Sequence, residues 1–337
     1  MMRVRPAEAG IARRIASRHR GLIAPEARGV RAKDLPRTVV ACSGGADSCA
    51  LAIALASKRF PLVIAHIVHD MRPEPEALAD RDVARRLSAE LGVPFVESRV
   101  RISTKGNAEA SARRSRYAAL ARLAGESDCR FIATAHHADD QLETMVMALV
   151  RGTGIRGLRG IAEMRPVPGG ITIVRPMLGV THAEAEALCR SASVVWAEDR
   201  TNADTSRFRA ALRHGPVAEL TRLRPAGPLH AARTAGMVRD LAVLLESAID
   251  AVPTLDDHRW SRAVLRGAPA IVIGGLLRRA FLEATSGKGA DALSARMVDA
   301  AAAVIRSPGT DPKVVQWPRG VRVRVTAHAV SIERHPD

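Results

Sequence analysis

Residues 38–48 constrain this chain more than any other segment. The β-branched run Thr38-Val39-Val40-Ala41-Cys42 passes directly into Ser43-Gly44-Gly45-Ala46-Asp47-Ser48, and an apolar-rich stretch, Cys49 to Ala56, follows. That order predicts a strand, a tight loop and a helix. Two adjacent glycines let the backbone approach an anion without Cβ clashes. The loop N–H groups and the helix N-terminus then point at that anion. Ser43 and Ser48 add hydroxyl donors, and Asp47 can hold a Mg²⁺ that bridges phosphates. The spacing matches neither Gly-x-x-x-x-Gly-Lys-Ser/Thr nor Gly-x-Gly-x-x-Gly, so it is neither a Walker A motif nor a dinucleotide fingerprint. Ser-Gly-Gly alone also suits an ordinary strand-to-helix turn. The preceding strand, Asp47, Ser48 and the following helix favour the phosphate loop.

Five short β-like runs alternate with helical stretches through the first half of the chain. The runs are Thr38–Cys42, Leu62–His66, Pro94–Val100, Arg130–Ala135 and Ile171–Arg175, and helical periodicity covers 49–58, 76–91, 108–125 and 139–150. Such alternation predicts an α/β fold, a parallel sheet with helices on both faces. Ligands of such sheets sit beyond the carboxyl ends of the strands. The loops 43–48, 66–72 and 136–140 all fall at those ends and converge on one crevice. Beyond Pro216 the pattern changes. Residues 228–250, 262–284 and 291–306 read as helices, and Val314–Arg334 reads as a small β-meander. The Gly- and Pro-rich stretch 215–228 reads as a linker. The expected organisation is a helical extension over 1–35, an α/β domain over 36–215 and a smaller, mainly helical domain over 216–337.

A chain of 337 residues is long enough for two domains. Its net charge of +16 suggests a polyanionic partner, most simply nucleic acid. The cations are almost all Arg, a bias that genome base composition also produces. Cys42, Cys49, Cys129 and Cys189 form no C-x-x-C pair and have no His at zinc spacing, so they read as small buried hydrophobes in a reducing cytoplasm. No apolar run is long enough for a transmembrane helix, and no membrane partner is expected.

The second informative segment is Thr134-Ala135-His136-His137-Ala138-Asp139-Asp140-Gln141-Leu142-Glu143-Thr144. It reads as a strand ending at His136 and a helix beginning near Asp139, where Asp139 suits an N-cap. Capping alone does not account for two His, two Asp, a Gln and a Glu within eight residues. Asp140 and Glu143 are three apart and share a helix face. Paired carboxylates there suit a metal ion or the recognition of an ammonium group.

The phosphate loop resembles the PP-loop of ATP pyrophosphatases. Together with His-His-x-Asp-Asp-Gln-x-Glu-Thr it resembles the tRNA(Ile)-lysidine synthetase family. Further segments agree in order: Asn107 to Tyr117, Leu149-Val150-Arg151-Gly152-Thr153-Gly154 through Gly160, Arg175-Pro176-Met177-Leu178, Trp196 to Asp204, and Phe208-Arg209. The likeness spans about residues 37–213. Three positions depart from the family pattern. Asp70 replaces a Gly, Ala210 replaces an Asn, and His182 stands where the family carries an Arg.

This resemblance implies an enzyme that ligates free lysine to C2 of the wobble cytidine of a tRNA(Ile) with a CAU anticodon. ATP and Mg²⁺ would be required. Adenylation of the C2 oxygen releases pyrophosphate and creates a good leaving group, and the lysine ε-amine then displaces AMP. By resemblance, Ser43, Gly44, Gly45, Ala46, Asp47, Ser48 and His66 bind the nucleotide, and Asp47 and Asp140 hold metal. Arg116 and Arg209 stabilise developing charge, His136 contacts the nucleotide or the activated base, and Asp140 and Glu143 orient lysine and help remove its proton. The Arg-rich loop 151–160 is either a tRNA-contacting lid or a mobile surface loop, and a homodimer is allowed. The alternatives are a PP-loop tRNA thiolation enzyme, an ammonia-using PP-loop synthetase, and an impaired relic that binds ATP and RNA.

Overall fold

The computed structural model describes residues 5, 8–27, 29–70, 73–101, 108–197, 208–289 and 292–334. The motif positions Met71, Arg72, Asn107 and Glu198 to Asp204 lie outside them. Two compact units divide after Met237.

The first unit is an α/β layer structure. Its elements are α1 (Ala9–Ile23), β1 (Thr38–Ala41), α2 (Ala46–Ser57), β2 (Leu62–His69), α3 (Glu74–Leu91), β3 (Phe95–Val100), α4 (Ala108–Glu126), β4 (Phe131–Ala133), α5 (Ala138–Val150), α6 (Gly154–Leu158), β5 (Met164–Val167), β6 (Ile171–Val174), α7 (His182–Ser191), α8 (Phe208–Leu212) and α9 (Ala218–Leu223). The strands form one sheet in the order β3-β2-β1-β4-β6-β5. All pairs are parallel except the edge hairpin β5–β6. β1 lies in the middle, with Val39 opposite Val63 on one side and Ile132 on the other. The chain winds outward from β1 through β2 to β3, then returns to β1's other side for β4. That reversal opens a crevice at the carboxyl ends of β1 and β4, where ligands of such sheets bind.

Burial explains the placement of the elements. β2 is buried along nearly its whole length, as its unbroken apolar run requires of an inner parallel strand. α2 is buried from Ser48 to Leu55 because α1 and α7 cover the face turned away from the sheet. α1 buries Ala12, Ile15, Ala16, His19 and Ile23, the single stripe expected of a helix docked on one side.

The second unit begins within α10 (Gly227–Asp250), with β7 (Thr254–Asp256), β8 (Arg259–Ser261), α11 (Arg262–Gly267), α12 (Ala270–Ala284), α13 (Ala295–Arg306), β9 (Lys313–Gln316), β10 (Val321–Val325) and β11 (Ala329–Arg334). Its strands form an antiparallel sheet in the order β7-β8-β11-β10-β9. The tail meander is therefore three strands of a five-stranded sheet. β10 alternates inward Val321, Val323 and Val325 with outward arginines. These valines share a core with Ile273, Leu277, Phe281, Ile305 and Trp317. The single helix expected over 262–284 is two, broken at Ala268-Pro269, because a proline disfavours helical backbone in the residue before it. The expected linker also differs. Arg213–Val217 is a wide helical turn and α9 continues it, with only Gly215 leaving helical geometry ahead of Pro216. Among the described residues no helix is long and apolar enough to cross a membrane.

Candidate phosphate-loop site

The loop between β1 and α2 is held open by its own side chains. Ser48 Oγ accepts from the Ser43 N–H at 3.1 Å and donates to Gly45 O at 2.9 Å, so one hydroxyl ties both ends of the turn. Gly44 has φ +92°, and a Cβ there would lie 2.7 Å from Asp80 O. Only glycine fits that backbone at that distance. Beneath the loop lie three thiols. Cys49 Sγ donates to Gly44 O and Cys189 Sγ to Ala46 O, while Cys42 Sγ sits 3.6 Å from Ser48 Oγ. All three cysteines are buried, and burial pushes the Cys189 thiol up to about 12. Asp47, in the first turn of α2, places a carboxylate at the positive end of the helix.

A cavity of about 360 Å³ opens beside the loop. Ser43, Gly45, Asp47, Ser48, His66, Arg116, His136 and Asp140, drawn from both informative segments and from β2 and α4, all line it. Burial holds the His66 ring below its ordinary value, and its Nδ1 donates to Cys42 O at 2.8 Å. Burial also drives His136 down to about 3, and its Nδ1 lies 2.9 Å from Thr134 Oγ1. A neutral ring at that position offers hydrogen bonding without charge. The neighbouring His137 behaves oppositely. Burial opposes its charged form, but Asp139, Asp140 and Asp47 outweigh that cost and raise it to about 9. The surroundings of these adjacent histidines thus push their rings in opposite directions.

β4 ends at Ala133, and His137, not Asp139, is the residue before the first turn of α5. Asp140 Oδ2 accepts the His137 N–H at 3.1 Å. Asp139 instead accepts from the His182 N–H at 2.8 Å and approaches His137 Nδ1 at 3.2 Å. Asp140 and Glu143 do share a face, and two arginines occupy it. Arg209 bonds Asp140 Oδ1 at 2.9 Å and Glu143 Oε2 at 2.8 Å. Arg213 reaches the same two carboxylates, with Nη2 3.1 Å from Glu143 Oε2 and 3.4 Å from Asp140 Oδ1. Glu143 is 1% exposed, so its charge is stabilised by both guanidinium groups. In this arrangement Asp140 already accepts from His137, Arg209 and Arg213. A magnesium ion, which takes one or two carboxylates together with phosphates and water, fits Asp47 better than Asp140.

Glu143 and Arg209 stand behind the cavity wall rather than in it. Arg116 is in the wall next to Tyr117, and the guanidinium groups of Arg113 and Arg165 also lie over the Tyr117 ring, at 5.2 and 4.6 Å. Residues outside the expected set also belong to the site. Arg213 and His137 line it. His182, in the first turn of α7, contacts Asp47 Oδ1 through Nδ1 at 2.9 Å. Only the departure of His182 from an arginine pattern marked it in the sequence. Gln141, fully buried, exchanges two hydrogen bonds with the Ile161 backbone and so pins the end of the 151–160 loop to α5. That loop contains the helical turn α6, and its Arg151 lies 5.8 Å over the Phe208 ring.

Residues 14–220 match the family model of the PP-loop domain. The chain belongs to the PP-loop domain family. The chain is 37% identical over 224 residues to a tRNA(Ile)-lysidine synthase of Geobacter sulfurreducens, a match covering 64% of this chain and 46% of that protein. It is 35% identical over 275 residues to a tRNA(Ile)-lysidine synthase of Ralstonia nicotianae, covering 79% of this chain and 58% of the relative. This PP-loop chain thus spans about half the length of the curated relatives it matches. Among solved structures, the U34-tRNA thiolase NcsA from Methanococcus maripaludis, with its [4Fe-4S] cluster, superposes with a TM-score of 0.54 at 16% identity. That match covers 67% of this chain and 78% of the thiolase, and it shows a shared fold.

Proposed function

We propose that this protein is an ATP-dependent ligase that joins free lysine to C2 of the wobble cytidine in a tRNA(Ile) with a CAU anticodon. The observation that carries the reading is the convergence of the phosphate loop with His136, His137 and Asp140 on one cavity, in a chain whose relatives are lysidine synthases.

The loop N–H groups of Ser43 to Ser48 hold the β- and γ-phosphates of ATP. Bound through Asp47, magnesium would supply positive charge to the departing pyrophosphate. Arg116, at the far wall, stabilises negative charge as the C2 oxygen of cytosine attacks the α-phosphate. His66 and the neutral His136 position the nucleotide and the activated base. Adenylation is needed because the carbonyl oxygen of cytosine is a poor leaving group, whereas AMP is a good one. The lysine ε-ammonium must lose a proton before it attacks. We assign its orientation and the removal of that proton to Asp140, in the cavity wall, backed by the buried Glu143. Arg209 and Arg213 occupy them here, so lysine enters by exchanging with a guanidinium. The anticodon loop is single-stranded, which lowers the cost of turning the target base into the cavity.

The test is incubation of purified protein with ATP, Mg²⁺, radiolabelled lysine and unmodified tRNA(Ile). Label is expected in the tRNA, and it should disappear with Asp47→Ala and with a tRNA altered at cytidine 34. Absence of incorporation with the intact tRNA would exclude the reading.

A further inference from the structure

Asp47, His137 and His182 come from three elements: the first turn of α2, the residue preceding α5 and the first turn of α7. Each offers one ligand atom, and the three atoms lie within 4.8 Å of one another. His182 Nδ1 is 2.9 Å from Asp47 Oδ1, and His137 Nε2 is 3.5 Å from Asp47 Oδ2. The remaining nitrogen of each ring faces a carboxylate. His137 Nδ1 is 3.2 Å from Asp139 Oδ2, and His182 Nε2 is 3.4 Å from Glu186 Oε1. A metal-bound imidazole almost always directs its other nitrogen to such a partner, which fixes the tautomer and raises ligand basicity. Here that pairing occurs twice around one point.

The backbone holds the two rings in place. The His137 N–H bonds Asp140, and the His182 N–H bonds Asp139. Thr181 and Glu184 form reciprocal capping bonds that fix the start of α7.

We propose that Asp47, His137 and His182 bind a first-row transition dication of the Zn²⁺ or Co²⁺ kind. Two imidazoles and one carboxylate supply three positions of a tetrahedral ion with bonds of about 2.0–2.2 Å. Asp47 and His137 also line the cavity, so the fourth position faces it and takes water or a phosphate oxygen. The two ions are alternative occupants of Asp47: magnesium prefers oxygen ligands and would use Asp47 with nucleotide phosphates and water, whereas in the nucleotide-free chain the two ring nitrogens favour the transition dication. His182 decides the matter, because an arginine at this position offers no ligand to a metal. The inference does not rest on lysidine synthesis, since the site is complete in the nucleotide-free chain.

The test is a titration of tag-free, metal-stripped full-length protein with Co²⁺, read by visible d–d absorption, and with Zn²⁺, read calorimetrically. Neither tRNA nor lysine is present. One tightly bound equivalent with tetrahedral absorption is expected, and excess Mg²⁺ should not displace it. His182→Arg should weaken binding ~100-fold or more, and Asp139→Asn, which weakens both the partner of His137 Nδ1 and the bond that anchors the His182 N–H, about 10–100-fold. His182 is half exposed, so its replacement should leave the far-UV circular dichroism unchanged. Absence of a bound equivalent, or a bound equivalent that His182→Arg and His137→Asn leave intact, would overturn the proposal. Both outcomes would mean that the two rings act on Asp47 as cations instead.

Discussion

His19 shows how one buried ring can set the acid limit of the molecule. It lies fully buried on α1, with Nε2 3.3 Å from Thr38 Oγ1 and Nδ1 without a hydrogen-bond partner among the described residues. Burial lowers its value from 6.5 to about 4. Between pH 6.5 and 4 the unfolded chain therefore binds more protons than the folded one, and stability falls as pH is lowered through that window. The loss should reach about 3 kcal/mol below it. Denaturant midpoints measured across this range should show the slope, and His19→Leu should reduce it, leaving the share of the buried His136 and His66, whose shifts have the same sign. At this scale the sequence was only partly legible. Ser43, Asp47 and Asp140 stand in motifs whose spacing declares a role. Arg213 and His182 are ordinary residues of helical segments until the fold brings them to Glu143 and Asp47, and no local pattern signals a contact across 70 or 135 positions.

Among elements, α5 is both a wall of the cavity and an anchor for the loop at its C-terminal end. Gln141 holds Ile161 by two backbone-directed bonds, and Gly160 passes so close that a Cβ there would meet the Gln141 amide. Replacing Gln141 by Ala removes both bonds, at a cost of about 2 kcal/mol. Limited proteolysis within 151–160 should then accelerate while the rest of the first unit resists. The inner strands β1, β2, β4 and β6 were legible because inner strands of a parallel sheet must be apolar on both faces. β5, β7 and β8 were not. They are three or four residues long, β5 and β7 are mostly exposed, β8 buries only Trp260, and β5 contains Pro166 at the sheet edge, so neither periodicity nor composition marks them. Antiparallel pairing makes them strands: β5 with β6, β7 with β8, and β8 with the longer β11.

On the scale of the whole molecule, each unit carries its own core and its own buried polar anchor. In the second unit that anchor is Arg262, 3% exposed, whose guanidinium donates to the carbonyls of Val304, Ile305, Ser307, Gly309 and Thr326. These gather at the C-terminal end of α13, where the helix dipole favours a cation. Arg262→Met leaves those carbonyls without their donor and should cost about 3 kcal/mol. Calorimetry should show the transition of the second unit moving down, while nucleotide binding by the first is retained. The division inside α10 was not legible, because an amphipathic helix carries no mark at the residue where its packing partners change.

The thiols under the phosphate loop give that loop a clock. Cys42, Cys49 and Cys189 are buried in the core under the loop, with Cys49 and Cys189 bonded to the carbonyls of Gly44 and Ala46 and Cys42 beside Ser48. A small alkylating reagent can therefore reach them only in the moments when the loop lifts. The labelling rate of these peptides, followed by mass spectrometry, counts those openings, and saturating ATP should lengthen the interval between them.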